Sequence, residues 1–135
     1  MVMARKSINI GGKHFNKEEL YEKVDSDPEI IEMLFDSVKG QVPGYIGNIE
    51  SIVESLKSSH ELSQEQIDLL KFSSHSIKGS AYNLCFERLG NIAKHIEMTS
   101  REWGCPEAGS KGEMLPHLFK LLKEEWSLVL SLMKI

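Results

Sequence analysis

The stretch His75-Ser76-Ile77-Lys78-Gly79-Ser80-Ala81 gathers residue types that together could carry a phosphoryl group. A neutral imidazole nitrogen is a competent nucleophile toward phosphorus near pH 7. On a helix, Lys78 falls one turn after His75 and Lys71 one turn before it, which sets both ammonium groups beside the ring. A lysine there is a compact positive charge matched to a group with up to two negative charges. Gly79 lies at i+4 from His75, and a glycine inside a helix costs about 1 kcal/mol relative to alanine. Close approach of another molecule to His75 would offset that cost. Phosphoryl transfer asks for positioning, charge neutralisation and an in-line path rather than covalent work by the protein. No P-loop and no dense carboxylate pair for Mg²⁺ accompanies the segment, so it reads as a carrier whose catalysis comes from elsewhere.

The elements that must position these residues are helices. The chain has 16 Glu, 15 Leu and 12 Ile against a single Thr, Thr99, a balance that favours helix over strand. Its 135 residues, 41% of them apolar, suffice for one core. Residues 1–12, ending in Gly11-Gly12, read as a flexible tail, and residues 13–135 as one domain. Asn16 with Glu19 forms a capping box for a short first helix to about Val24. Asp27-Pro28 caps the next helix. From Ile31 to Leu56, apolar residues recur at spacings of three and four through Gly40, Pro43 and Gly44, which predicts a kinked helix or two collinear ones. Residues 58–62 read as a loop. Ser63 with Gln66 opens a third helix to about Leu84, whose apolar stripe is Ile67, Leu70, Ser74, Ile77, Ala81 and Leu84. On that wheel His75 sits roughly 130° from the centre of the stripe and points outward. A tight connection at Cys85 leads to a fourth helix carrying Leu89, Ile92, Ala93, Ile96, Ser100 and Trp103. After a loop over 104–112, a last helix covers about Glu113 to Lys134. The expected fold is all-α, an up-down four-helix bundle with a short additional N-terminal helix.

In this arrangement the chain resembles the histidine-containing phosphotransfer (HPt) domain of multistep phosphorelays. The likeness rests on His-x-x-Lys-Gly-Ser-Ala, on Leu84 and Leu89 about Cys85, on the short first helix, on Asp27-Pro28 and on a proline midway along the second helix. It spans about Phe15 to Lys134. It implies that His75 accepts a phosphoryl group from a receiver-domain aspartate and passes it to another. Lys78 would be the phosphate-side lysine and Gly79 the clearance glycine. Glu97 would bond the second imidazole nitrogen, fixing the tautomer and raising ring basicity as carboxylates do for metal-bound histidines. Arg101, one turn further, would add positive charge. Periodicity alone puts Glu97 at the edge of its helix's apolar arc, and Glu97 with Arg101 is equally an ordinary i,i+4 ion pair. Phe72 and Tyr82 flank His75 as docking contacts for a partner or as packing between helices. The implied partners are response-regulator receiver domains and a hybrid sensor histidine kinase, with Mg²⁺ on the receiver and no cofactor on this chain. The chain would be a monomeric phosphocarrier and not an enzyme. Where the family usually has glycine, this chain has Cys85, which is expected to adopt the turn conformation with its side chain attached.

Other classes drop out on composition. No run approaches the ~18 apolar residues that span a membrane. Met1 to Gly12 holds Arg5 and Lys6 but no hydrophobic segment of a secretory signal. Two cysteines, Cys85 and Cys105, then point to a reducing cytoplasm without disulfides. Three Arg and a net charge of −4 give no basic footprint for nucleic acid. His14, His60, His75, His95 and His117 are dispersed, with neither His-x₃-His nor Cys-x-x-Cys, so a metal site is not expected. A sensor kinase would need an ATP-binding domain that 135 residues cannot also hold. The alternative is a helical-bundle adaptor without phosphotransfer, and His75 together with Lys78 argues against it.

Overall fold

The computed structural model describes residues 10–59, 61–103 and 111–133. All of the regular elements among them are α-helices: α1 (Lys17–Lys23), α2 (Pro28–Ser55), α3 (Gln64–Asn83), α4 (Glu87–Arg101) and α5 (Lys111–Leu132). The caps read from the sequence set the first three starts. Asn16 accepts from the Glu19 N–H at 3.3 Å. Asp27 accepts from the Glu29 N–H at 2.9 Å with Pro28 at the first helical position. Ser63 and Gln66 close a reciprocal box at 3.1 and 2.8 Å. Helix α2 packs on α3 and α5, and α4 likewise packs on α3 and α5, so the four longer helices close a ring of contacts around one core. No helix among the described residues is long and apolar enough to cross a membrane.

Helix α2 runs uninterrupted from Pro28 to Ser55, not as two pieces. A proline inside a helix costs about 3 kcal/mol, but Pro43 is solvent-facing, where water can satisfy the carbonyl it leaves without a partner. The opposite face buries Ile31, Phe35, Val38, Val42, Ile49, Ile52 and Val53. At roughly 1.5–3 kcal/mol per buried side chain, that continuous stripe outweighs one broken backbone bond.

The join between α3 and α4 fixes how the two helices meet. The Phe86 N–H donates to the Ala81 carbonyl at 2.9 Å and the Cys85 N–H to the Tyr82 carbonyl at 3.1 Å, the paired bonds of a Schellman ending. Cys85 occupies its left-handed position with φ +63°, a conformation that costs a non-glycine residue roughly 1–2 kcal/mol. Here the side chain that glycine would lack is buried. Burial pushes the Cys85 thiol up, partly opposed by the Lys23 charge, so it remains protonated and packs as a small hydrophobe. Cys105 lies outside the described residues.

The expected tail over residues 1–12 is too long. Residues 1–9 lie outside the described residues, but Ile10 is buried and Ile10–Gly12 is held against α4. The Ile10 carbonyl accepts from Arg88 Nε at 3.1 Å and the Gly11 carbonyl from Asn91 Nδ2 at 2.9 Å. Gly12 has φ +107°, and a Cβ there would stand 3.0 Å from the Arg88 backbone nitrogen, so only glycine fits. Phe86 at the N-cap of α4 makes no side-chain cap bond, and the Lys13 carbonyl takes the Arg88 N–H at 2.9 Å instead. The segment thus supplies a cap that the helix's own sequence lacks.

Glu125 on α5 anchors the same segment. Its buried carboxylate accepts from Arg88 at 2.7 Å and contacts His14 Nδ1 at 2.7 Å. Removing one partner from a buried pair strands the other charge. Arg88→Met is therefore expected to destabilise the protein by about 3 kcal/mol, read from the denaturant midpoint. Arg88→Met/Glu125→Gln should recover part of that loss; a double variant no better than the single would contradict the pairing.

Candidate functional site

Helices α3 and α4 leave the Cys85 turn side by side, and Glu97 faces back across the seam toward His75. The imidazole Nδ1 lies 3.1 Å from Glu97 Oε2. Lys78 Nζ donates to Glu97 Oε1 at 2.7 Å, and Arg101 donates to Oε2 at 2.9 Å. The Glu97 side chain is 3% exposed while that of His75 is 63% exposed. A buried acid thus sits beneath an imidazole that stands in solvent.

The electrostatics decide the tautomer. Burial alone would push the Glu97 carboxyl up. Hydrogen bonds from Lys78, Arg101 and His75, with the Lys78 charge, overcome that and bring it down to about 2. An ionised carboxylate only accepts, so the ring nitrogen facing it must be Nδ1–H. In the neutral ring the lone pair then belongs to Nε2, on the side away from Glu97. One carboxylate against two cations leaves a net positive charge where the imidazole emerges. Lys78 keeps two further N–H donors and Arg101 four.

Four of the eight expected site residues, His75, Lys78, Glu97 and Arg101, meet at this seam, and the roles within the set divide. Lys78, expected beside a phosphoryl group, donates to Glu97, because a buried carboxylate is the nearest uncompensated charge. Glu97, read as an arc-edge residue, is fully inside. Arg101 pairs with it at i+4 and thereby also braces the site. Lys71 is exposed one turn before His75, and its ammonium makes no hydrogen bond or ion pair among the described residues. Gly79 is exposed mid-helix, and a Cβ there would meet nothing within 4 Å. Phe72 is 57% exposed and Tyr82 38%, yet each also touches a neighbouring helix. The Phe72 ring meets Tyr45 of α2 edge-on at 5.8 Å, and the Tyr82 hydroxyl donates to Asn91 Oδ1 of α4 at 2.6 Å. Two supports escape a reading of single stripes: Ser73, buried on α3 and accepting from Asn48 of α2, and Gly90, against which Tyr82 lies. A glycine in the first turn of α4 was the available signal for the latter. No group of His, Cys, Asp and Glu among the described residues could hold a metal ion.

Comparison of the chain with protein-family models, with curated proteins and with solved structures finds no match.

Two stability measurements follow from the geometry. Ionised Glu97 is favoured by folding, since its carboxyl drops from the ordinary 4.5 to about 2. Its contribution, on the order of 3 kcal/mol, is complete above the unfolded value and is lost as pH falls through the folded one. Urea melts of wild type and Glu97→Gln should therefore differ most near pH 6 and converge toward pH 2; a gap independent of pH would contradict it. Gly79→Ala, which meets no obstacle, should raise stability by about 1 kcal/mol; a loss would mean that the glycine serves packing.

Proposed function

We propose that the protein is a phosphocarrier of the HPt kind, an up-down four-helix bundle that holds a phosphoryl group on His75 between receiver-domain aspartates. The observation that carries this reading is an exposed imidazole whose Nδ1–H is tied to a buried, ionised carboxylate, with its Nε2 directed to solvent beside surplus positive charge. In the transfer, the Nε2 lone pair attacks phosphorus of the aspartyl phosphate, an N–P bond forms, and the acyl phosphate P–O bond breaks to release the aspartate carboxylate. The Nδ1 proton stays in place. The ring therefore becomes cationic, and the Glu97 carboxylate at 3.1 Å stabilises that charge. Lys78 and Arg101 retain donors for the phosphoryl oxygens. The reverse sequence on a second receiver completes the relay.

Catalysis would come from the receiver, whose aspartate and Mg²⁺ supply the charge stabilisation that this chain lacks. A hybrid sensor histidine kinase is the expected upstream source. The chain would act in the cytoplasm as a monomer and would turn over no substrate of its own. The helix contacts support the bundle, since a ring of α2, α3, α4 and α5 joined by short connections suits alternating directions.

Incubation with a phosphorylated receiver domain should place acid-labile, alkali-stable label on the wild-type chain and none on His75→Gln. Equal labelling of His75→Gln, or none of wild type, would overturn the proposal. Gly79→Leu should keep its helicity yet accept the label about tenfold more slowly or worse, because the added side chain stands where the donor must approach.

A further inference from the structure

Tyr82 belongs to the face of α3 that carries His75, seven residues further on, yet its ring does not lie on that face. It rests against α4 at Gly90. A Cβ at position 90 would stand 2.3 Å from Cε1 and 2.5 Å from Cδ1 of the ring, so only glycine admits it. The hydroxyl donates to Asn91 Oδ1 at 2.6 Å, and Asn91 Nδ2 donates in turn to the Gly11 carbonyl at 2.9 Å. The seat is therefore built from two residues of α4 and braced by the N-terminal segment.

The alternative position of the ring follows from helix geometry. In an α-helix, χ1 is confined to two rotamers, and both lean the side chain back over the turn on its N-terminal side. For Tyr82 that turn holds Lys78 and Gly79. Gly79 has no side chain and nothing near it, so a ring released from Gly90 has room to lie over it. There it would roof the opening one turn from His75. A bare Gly79 is thus not enough to keep the approach clear, because a neighbouring aromatic could fill the same space.

Resting on the phosphocarrier reading above, we propose that the Gly90–Asn91 seat parks Tyr82 away from Gly79 and so keeps the approach to His75 open to a protein-borne phosphoryl group. Tyr82 is then neither a docking contact nor core packing. It is a positioning residue whose seated rotamer decides whether a partner can reach the imidazole.

The test compares two donors on Gly90→Ala, which evicts the ring. A small donor, phosphoramidate, should label Gly90→Ala at the wild-type rate, because it passes beside the ring. A phosphorylated receiver domain that transfers to wild type should label the variant about tenfold more slowly or worse. Burial pushes the Tyr82 phenol up in the seated state, partly opposed by the Lys78 charge, so its titration, followed by NMR, should fall toward the ordinary tyrosine range. Gly90→Ala/Tyr82→Ala should regain transfer from the receiver. Asn91→Ala removes the hydroxyl's acceptor without adding volume, and should slow receiver transfer in the same direction, which covers a Gly90→Ala chain that does not fold. Receiver transfer at the wild-type rate with the phenol shifted would overturn the proposal, as would slow transfer that the double variant fails to restore. A wild-type chain labelled by neither donor would instead overturn the phosphocarrier reading beneath it.

Discussion

A carboxylate kept out of water must have its lost hydration replaced, and Glu97 is where that constraint shapes this protein. Stripping an ion of water costs several kcal/mol, and the replacement comes from Lys78 and His75 on α3 and from Arg101 on α4. Because two of the three donors belong to the facing helix, the charge cannot be satisfied unless α3 and α4 stand at one separation and one register. The short Schellman turn at Cys85 sets that register. Orientation of the imidazole is then a by-product of solvating the acid: Nδ1 is committed, and Nε2 keeps the lone pair of the neutral ring. This coupling explains why the site needs no rigid pocket around His75. The ring can be mostly in solvent and still point one way.

Glu125 poses the same problem at the other end of α4 and is solved with the same kinds of partner, Arg88 and His14. The outcome differs because of what the partners belong to. His14 and the Ile10 carbonyl bonded by Arg88 are on the N-terminal segment, so satisfying Glu125 fastens that segment across the start of α4. It also brings the Gly11 carbonyl to Asn91. The two buried acids, one on α4 and one on α5, thus divide the labour between the two ends of α4, one orienting an imidazole and the other closing the chain's N-terminal segment onto the fold.

Much of this was legible in the residue order, for identifiable reasons. Helix starts depend on local chemistry, and Asn16, Asp27 and Ser63 announce themselves with their partners a few residues on. The outward direction of His75 depends only on helical period. What was not legible depends on a second helix. The spacing of Lys78 puts it beside His75, but nothing local shows that a buried acid opposite will claim its ammonium. Pro43 argues for a break that only the summed burial of the α2 stripe overrides. Gly11-Gly12 looks like a flexible joint until Arg88, Asn91 and Glu125, far along the chain, supply partners for its neighbours and its backbone. Tyr82 presents the same face pattern as Phe72, and only Gly90 distinguishes its position. Fold class and the outward direction of His75 are set by period and motif, whereas the support of the site is set by contacts between residues remote in sequence.

The central claim is that Glu97 commits Nδ1 of His75 as a donor and leaves Nε2 to react. Long-range ¹H–¹⁵N NMR of the His75 ring, recorded before and after treatment with a phosphoryl donor, reads both halves at once. The account predicts the Nδ1–H tautomer in the neutral free protein and a phosphorus coupling at Nε2 afterwards. A dominant Nε2–H tautomer, or a phosphoryl group on Nδ1, would contradict it.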